Sequence, residues 1–366
     1  MRTALAVIAG IVLLTLAYFL LWPVPVDPVA WDPPPNAGYT GAHATNQRLA
    51  TLERVAVPEL TGPEDLVQSP EGTLYTTSHE GVIARMEPGS DGFTPWVTLE
   101  GRPLGIDWDA SADRLVVADA YEGLYAVGRD GTVTELATEA DGIPIRYADD
   151  VVAASDGRLY FSDASTKFGA HEHGGTYEAS LLDIMEHGGH GRILVYDPTT
   201  QVTTTLVDGL EFANGVALNP AETVLYVAET GMYRILAIPL SGSRKGAKDV
   251  FIDNLPGFPD NLSRGQDGRI WVGLVSSRRA IVDQIAPSPF VRRIIQRLPR
   301  FTRPEATRYG HVVAIDALGR VVADLQDPSG SFARTTGALE VGETLWISSL
   351  HEPDLGRLNG WQSTLR

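Results

Sequence analysis

The sequence predicts an all-β protein, a six-bladed β-propeller carried behind an N-terminal transmembrane helix. Three observations predict it. A turn-and-strand unit returns six times, the base spacing between returns lies in the low forties, and the chain opens on an unbroken apolar run.

The apolar run comes first. After Arg2 no charged residue occurs before Asp27, and nearly every residue from Ala4 to Trp22 is apolar. Roughly 20 such residues suffice to cross the hydrocarbon core as a helix. A cleavable signal has an apolar region of roughly 7–15 residues and ends in a small-x-small site. This run instead ends Phe19-Leu20-Leu21-Trp22-Pro23, and Trp22 suits a membrane interface. The expectation is an uncleaved, single-pass signal anchor over residues 1–22. Arg2 and the amino terminus favour the N-terminus inside and the propeller on the periplasmic or extracytoplasmic side. Residues 23–36 hold six prolines and read as a semi-rigid spacer of ~40 Å, at ~3.1 Å per residue, that stands the domain off the membrane. They form, with residues 37–50, a Pro-rich linker and lead-in to a propeller spanning 51–366.

The repeat is a Gly-, Asp- or Asn-rich turn leading into an apolar strand. Its apolar markers are Leu74, Leu115, Leu159, Leu225, Ile270 and Leu345, at spacings of 41, 44, 66, 45 and 75 residues. Four short strands fit such a period, as in a propeller blade. One such unit cannot bury both faces of its sheet, so the units must stack radially and close. The two long gaps each hold one insertion, near residues 167–190 and 277–308.

Register then points to a site. Ten residues before the marker stand Glu64, Gly105, Asp149 and Asp260; a turn one residue longer puts Asn214 at the equivalent place, and the sixth copy offers Thr335 or Thr336. This position begins each innermost strand, and innermost strands line the central channel. Glu64, Asp149, Asn214 and Asp260 therefore aim oxygen donors at one axis. Hard cations such as calcium take six to eight oxygen ligands. Three crowded carboxylates without a cation would repel one another and raise their own pKa values. Any one of these residues alone would be an ordinary turn former; four in register predict a metal.

Composition removes other classes. The net charge is −17, the wrong sign for neutralising nucleic-acid phosphates. There is no cysteine, hence no disulfide framework or thiolate chemistry. No Gly-x-Ser-x-Gly elbow, His-Glu-x-x-His motif or phosphate loop occurs.

Gly62-Pro63-Glu64-Asp65-Leu66, Leu159-Tyr160-Phe161-Ser162-Asp163, Phe212-Ala213-Asn214-Gly215-Val216 and Pro256-Gly257-Phe258-Pro259-Asp260-Asn261 together resemble the strictosidine synthase-like propellers. The resemblance covers roughly residues 50–358 and is closest to members that also carry an N-terminal anchor. The wider group includes gluconolactonases and paraoxonases. It implies a catalytic Ca2+ held by Glu64, Asn214 and Asp260, with Asn261 joining, and a second, structural ion near Asp65 and Asp150. Asp149 stands where the family usually has Asn, an extra negative charge that would tighten the ion and weaken it as a Lewis acid. The synthase glutamate at the start of the last blade is replaced by Thr336 or a neighbour. The histidine pair of paraoxonases is absent from the matching stretch, Gly101-Arg102-Pro103-Leu104-Gly105.

The expected chemistry is calcium-dependent hydrolysis of lactones or aryl esters. The metal polarises the carbonyl, and Asp260, or Asp149 after it, activates water. The expected partners are a small-molecule substrate and the membrane, with no nucleic acid. The competing class is a non-catalytic, calcium-stabilised scaffold or ligand-binding propeller, since fold alone does not set function. The remaining candidates read as surface or packing. His171, His173, His187 and His190 read as a solvated lid, and Lys167 as a surface residue near the pocket mouth. Phe290, Val291, Ile294, Ile295 and Leu298 form one side of a short helix, a stripe that usually packs on a core. The surrounding insertion holds eight Arg against two acids, which makes contact with anionic lipid the alternative.

Overall fold

Alternation of buried apolar side chains over short strands, broken by tight turns, produces six four-stranded antiparallel sheets in a computed structural model that describes residues 2–365. Blades 1 to 5 occupy residues 66–98, 103–137, 148–210, 213–252 and 257–327. Blade 6 is composite: its three inner strands lie within 335–359, and its outermost strand is Glu53–Ala56, which pairs antiparallel with Asp354–Asn359. All six apolar markers fall in the second strand of a blade and are buried.

The ring closes through six apolar layers, one between each pair of neighbouring blades. Val116, Leu124, Leu159 and Phe161 fill the layer between blades 2 and 3, and Leu66, Leu74, Trp346 and Leu355 fill that between blades 1 and 6. Each fully buried side chain of this size contributes ~1.5–3 kcal/mol. Polar clamps add direction. Asp65 accepts the Ile106 N–H of blade 2 at 2.9 Å, Asp107 the Ala153 N–H of blade 3 at 2.8 Å, and Asp150 the Val216 N–H of blade 4 at 2.7 Å. Each carboxylate also caps the N–H of the residue after it. Between blades 6 and 1, the Thr336 hydroxyl donates to the Glu64 carbonyl at 2.6 Å. The Asp65 and Asp150 oxygens, expected near a structural ion, are thus engaged by backbone N–H groups at blade junctions.

Both insertions are helical and cover one end of the channel. The first carries α2 (Thr176–Glu186), following the apolar helix α1 (Arg2–Leu21); the second carries α3 (Ala280–Ile285) and α4 (Pro289–Gln296). α1 is long and apolar enough to cross a membrane, and none of it is buried against the propeller.

Residues 23–36 differ from the expected spacer. Val26 is buried, Trp31 stacks on His187 with ring centroids 4.1 Å apart, and the Val29 N–H donates to the Glu186 carbonyl. Asn254 and Arg278 donate to the carbonyls of Pro35 and Pro34. Six prolines limit the entropy this segment loses on docking, so a few such contacts strap it across the insertions. The lead-in docks too: His43, Asn46 and Arg48 bond to Asp324 of blade 5.

Candidate metal centre

Four innermost strands deliver the predicted donors to one place. Glu64, Asp149 and Asp260 each offer a carboxylate oxygen within 4.8 Å of the others, all three residues being buried. These side chains and Asn214 line the floor of a cavity of about 350 Å³. Asn261 lies behind them, its amide nitrogen donating to the Glu64 carbonyl at 3.1 Å. The local backbone explains the convergence. The register shifts between Ala148 and Val151, between Ala213 and Val216, and between Pro259 and Leu262 are bulges at the start of three innermost strands. Such bulges re-aim a side chain toward the channel. Blade 2 supplies no donor because a Cβ on Gly105 would overlap Asp150, and a Cβ on Gly215 would likewise strike the backbone of Asp260 and Leu262.

The electrostatics ask for a cation. Burial pushes the Asp149 and Asp260 carboxyls well up, and their negative neighbours push further; Glu64 also rises through burial, with Arg102 opposing. The buried oxygens Oδ1 of Asn214, Asp260 and Asn261, gathered at one place, have no hydrogen-bond partner, whereas most buried polar atoms of folded proteins have one. The donors are all oxygens and none is sulfur or imidazole, so the set fits a hard divalent ion and not zinc.

Arg102, read from sequence only as part of a stretch lacking a histidine pair, turns out to be a member of this site. Its guanidinium lies 2.5 Å from the Glu64 carboxylate, and both side chains are buried. Three carboxylates and one guanidinium leave two negative charges, which one divalent cation neutralises. Arg102 thus offsets one of the three carboxylate charges around the ion position.

The first insertion corrects the solvated-lid expectation for His173, His187 and His190, while His171 is exposed. His187 is buried against Trp31, His190 bonds Glu186 at 2.7 Å, His173 bonds the Gly169 carbonyl, and His171 sits edge-on to Tyr121. The four imidazoles do not converge. Lys167 is held by Glu186 at 2.6 Å. The second insertion corrects the packing stripe in part: Phe290 and Val291 are exposed, Ile294, Ile295 and Leu298 are half-buried, and Arg292 and Gln296 are the buried residues of α4. Sequence reading also missed Tyr147 and Trp31 in the cavity wall. It missed a histidine pair, His79 and His351, with rings 5.7 Å apart, brought together by chain closure near the same rim.

A channel floor of oxygen donors under a helical cap defines a class, the six-bladed propellers with an acidic central site. The strictosidine synthase model matches residues 149–242, and the strictosidine synthase-like N-terminal model matches residues 41–86. A strictosidine synthase-like protein of Arabidopsis thaliana is 34% identical over 86% of this chain and 83% of its own. The human adipocyte plasma membrane-associated protein is 32% identical over 97% of this chain and 88% of its own. The chain belongs to the strictosidine synthase-like family. Among solved structures, a gluconolactonase from Xanthomonas campestris shares the fold, with a TM-score of 0.62 and 19% identity over 94% of this chain and 99% of its own.

Proposed function

We propose that the protein is a calcium-dependent hydrolase of lactones or aryl esters, held to a membrane by α1 with the propeller on the extracytoplasmic side. The observation that carries this reading is the cavity floor, where oxygen donors of four blades meet at the bottom of a chamber roomy enough for a small organic substrate. Glu64, Asp149, Asn214 and Asp260 would hold the ion, with Asn261 at its margin. Calcium bound there would supply Lewis-acid polarisation of the substrate carbonyl.

The protein's own groups carry the proton. Asp260, with Asp149 as the alternative, takes a proton from water as the water oxygen bonds to the carbonyl carbon. The carbon–oxygen bond to the leaving alkoxide or phenoxide then breaks, and the same carboxyl returns the proton to it. A lactone leaves as its hydroxy acid. Arg102 holds Glu64 in place, while Tyr147 and Phe212 shape the wall above the donors. The gluconolactonase of like fold puts lactones first among the substrates to try.

The test is a screen of the purified full chain in detergent against lactones and aryl esters, with chelator and with restored calcium. Turnover lost to chelator and regained with calcium supports the reading. Background rates on every compound, unchanged in Asp260→Asn, would replace it with a calcium-stabilised scaffold.

A further inference from the structure

α4 is turned the wrong way round for a helix in water. Helices on soluble proteins bury an apolar stripe and expose a polar one. Here Arg292 and Gln296 face inward, Arg292 donating to the Met185, Glu186 and Val29 carbonyls, while Phe290 and Val291 face out. Phe301, just past the helix, is 85% exposed. With Ile294, Ile295 and Leu298 half-buried between these two faces, the exposed rings of Phe290 and Phe301 are favourable only where the outside is itself apolar.

This patch is continuous with α1. Arg297 donates to the Trp22 carbonyl at 2.6 Å and the Phe19 carbonyl at 3.0 Å, and the Tyr18 hydroxyl donates back to the Arg297 carbonyl at 2.8 Å. Because the proline segment is strapped down, the last turn of α1 meets α4 directly. Tyr and Trp mark the membrane–water boundary, so Tyr18 and Trp22, bonded to Arg297, bring the C-terminal end of α4 to the bilayer surface. Arg297 brings positive charge to this boundary, where its guanidinium is held by the carbonyls that end α1.

The opposite side of the same segment walls the cavity, through Arg292, Gln296 and Arg303 from α4 and its continuation and Val282 and Ile285 from α3. We infer that the cavity is filled from the bilayer that α1 spans. Its substrate class is an acyl-chain lactone or ester dissolved in lipid, which enters past α4. This rests on reading α1 as an anchor and the cavity as the reaction site.

The experiment reads loading without needing turnover. The full chain is reconstituted in phosphatidylcholine–phosphatidylglycerol vesicles carrying a bromine-tagged dodecanolactone. Trp31 lines the cavity, so bromine entering it quenches Trp31 fluorescence, and Trp31→Phe identifies that part of the signal. The expected result is Trp31-dependent quenching that slows about tenfold in Phe290→Ser/Phe301→Ser, whose apolar contact with lipid is removed. Absence of Trp31-dependent quenching, or an equal rate in the double variant, overturns the inference. Loading without hydrolysis upholds it and overturns the hydrolase reading instead.

Discussion

Arg102 and Glu64, 38 positions apart in the chain, form an ion pair of 2.5 Å at the bottom of the channel. The pair makes Arg102 a built-in competitor with a cation for one carboxylate of the site.

The first prediction tests that competition. Removing one partner of a buried pair typically costs about 3–5 kcal/mol. Arg102→Met should therefore lose about that much stability in chelator, and far less with calcium, which then compensates Glu64 alone. Calcium affinity should rise. Thermal melts with and without chelator, together with calorimetric titration, check it; equal losses in both conditions would show that the pair and the ion are independent.

The second prediction separates the two aspartates. Asp260→Asn should keep the fold and lose most turnover, about 100-fold or more, since it removes a ligand charge and the first-choice base. Asp149→Asn should keep turnover or raise it while binding calcium more weakly, because with Arg102 present the loaded site would then carry net positive charge. Steady-state rates and calcium titrations of both variants decide; loss of turnover in Asp149→Asn instead of Asp260→Asn would exchange their roles.

The third prediction concerns pH in chelator. The folded carboxyls of Glu64, Asp149 and Asp260 are raised by burial and mutual repulsion, and Asp65 is pushed up to about 8 by burial. Acids raised on folding keep protons that the unfolded chain has released. Their contribution is full below the unfolded values near 4 and is lost as pH rises through the folded ones. The melting temperature in chelator should fall between about pH 5 and pH 8, and excess calcium should remove the part of the fall due to Glu64, Asp149 and Asp260, leaving that of Asp65. Melts that are flat in both conditions would refute it.

The fourth prediction runs the other way in pH. Burial, then the charges of Arg292 and Arg234, lower His187 to about 3 from an ordinary 6.5. The unfolded chain gains that proton near pH 6.5 and the folded one resists it, so stability present above pH 6.5 is lost on acidification. Because His187 stacks on Trp31, tryptophan-detected melts between pH 7.5 and pH 4.5 should show the slope, and His187→Phe should remove it. A slope that persists in that variant belongs to another group.

Much of the architecture was legible because it is local and repeated. A turn followed by Leu115-Val116-Val117 or Leu159-Tyr160-Phe161 signals a second strand by itself, and counting back from it locates the donors. The errors lie where long-range contacts decide. Arg292 faces inward because the Val29 carbonyl, 263 residues away, is there to receive it. No periodicity within 289–296 reports that. The prolines of 23–36 describe a stiff segment truthfully, but what it lies on is set by His187, Asn254 and Arg278. His79 and His351 come from opposite ends of the ring and share no motif.

Glu53 pairs with Arg357 across 304 positions, so the ring is sealed by the two ends of its own chain. Contacts of such separation form late, because the loop they close must be ordered first. In a nascent chain Glu53–Ala56 waits for its partner until the last strand leaves the ribosome. Until then both edges of the arc are unpaired, and the donors of blade 5 have no fixed position relative to Glu64 of blade 1. A product truncated before Asp354 is therefore an open arc with adhesive edges and no cation site, a natural target for quality-control proteolysis.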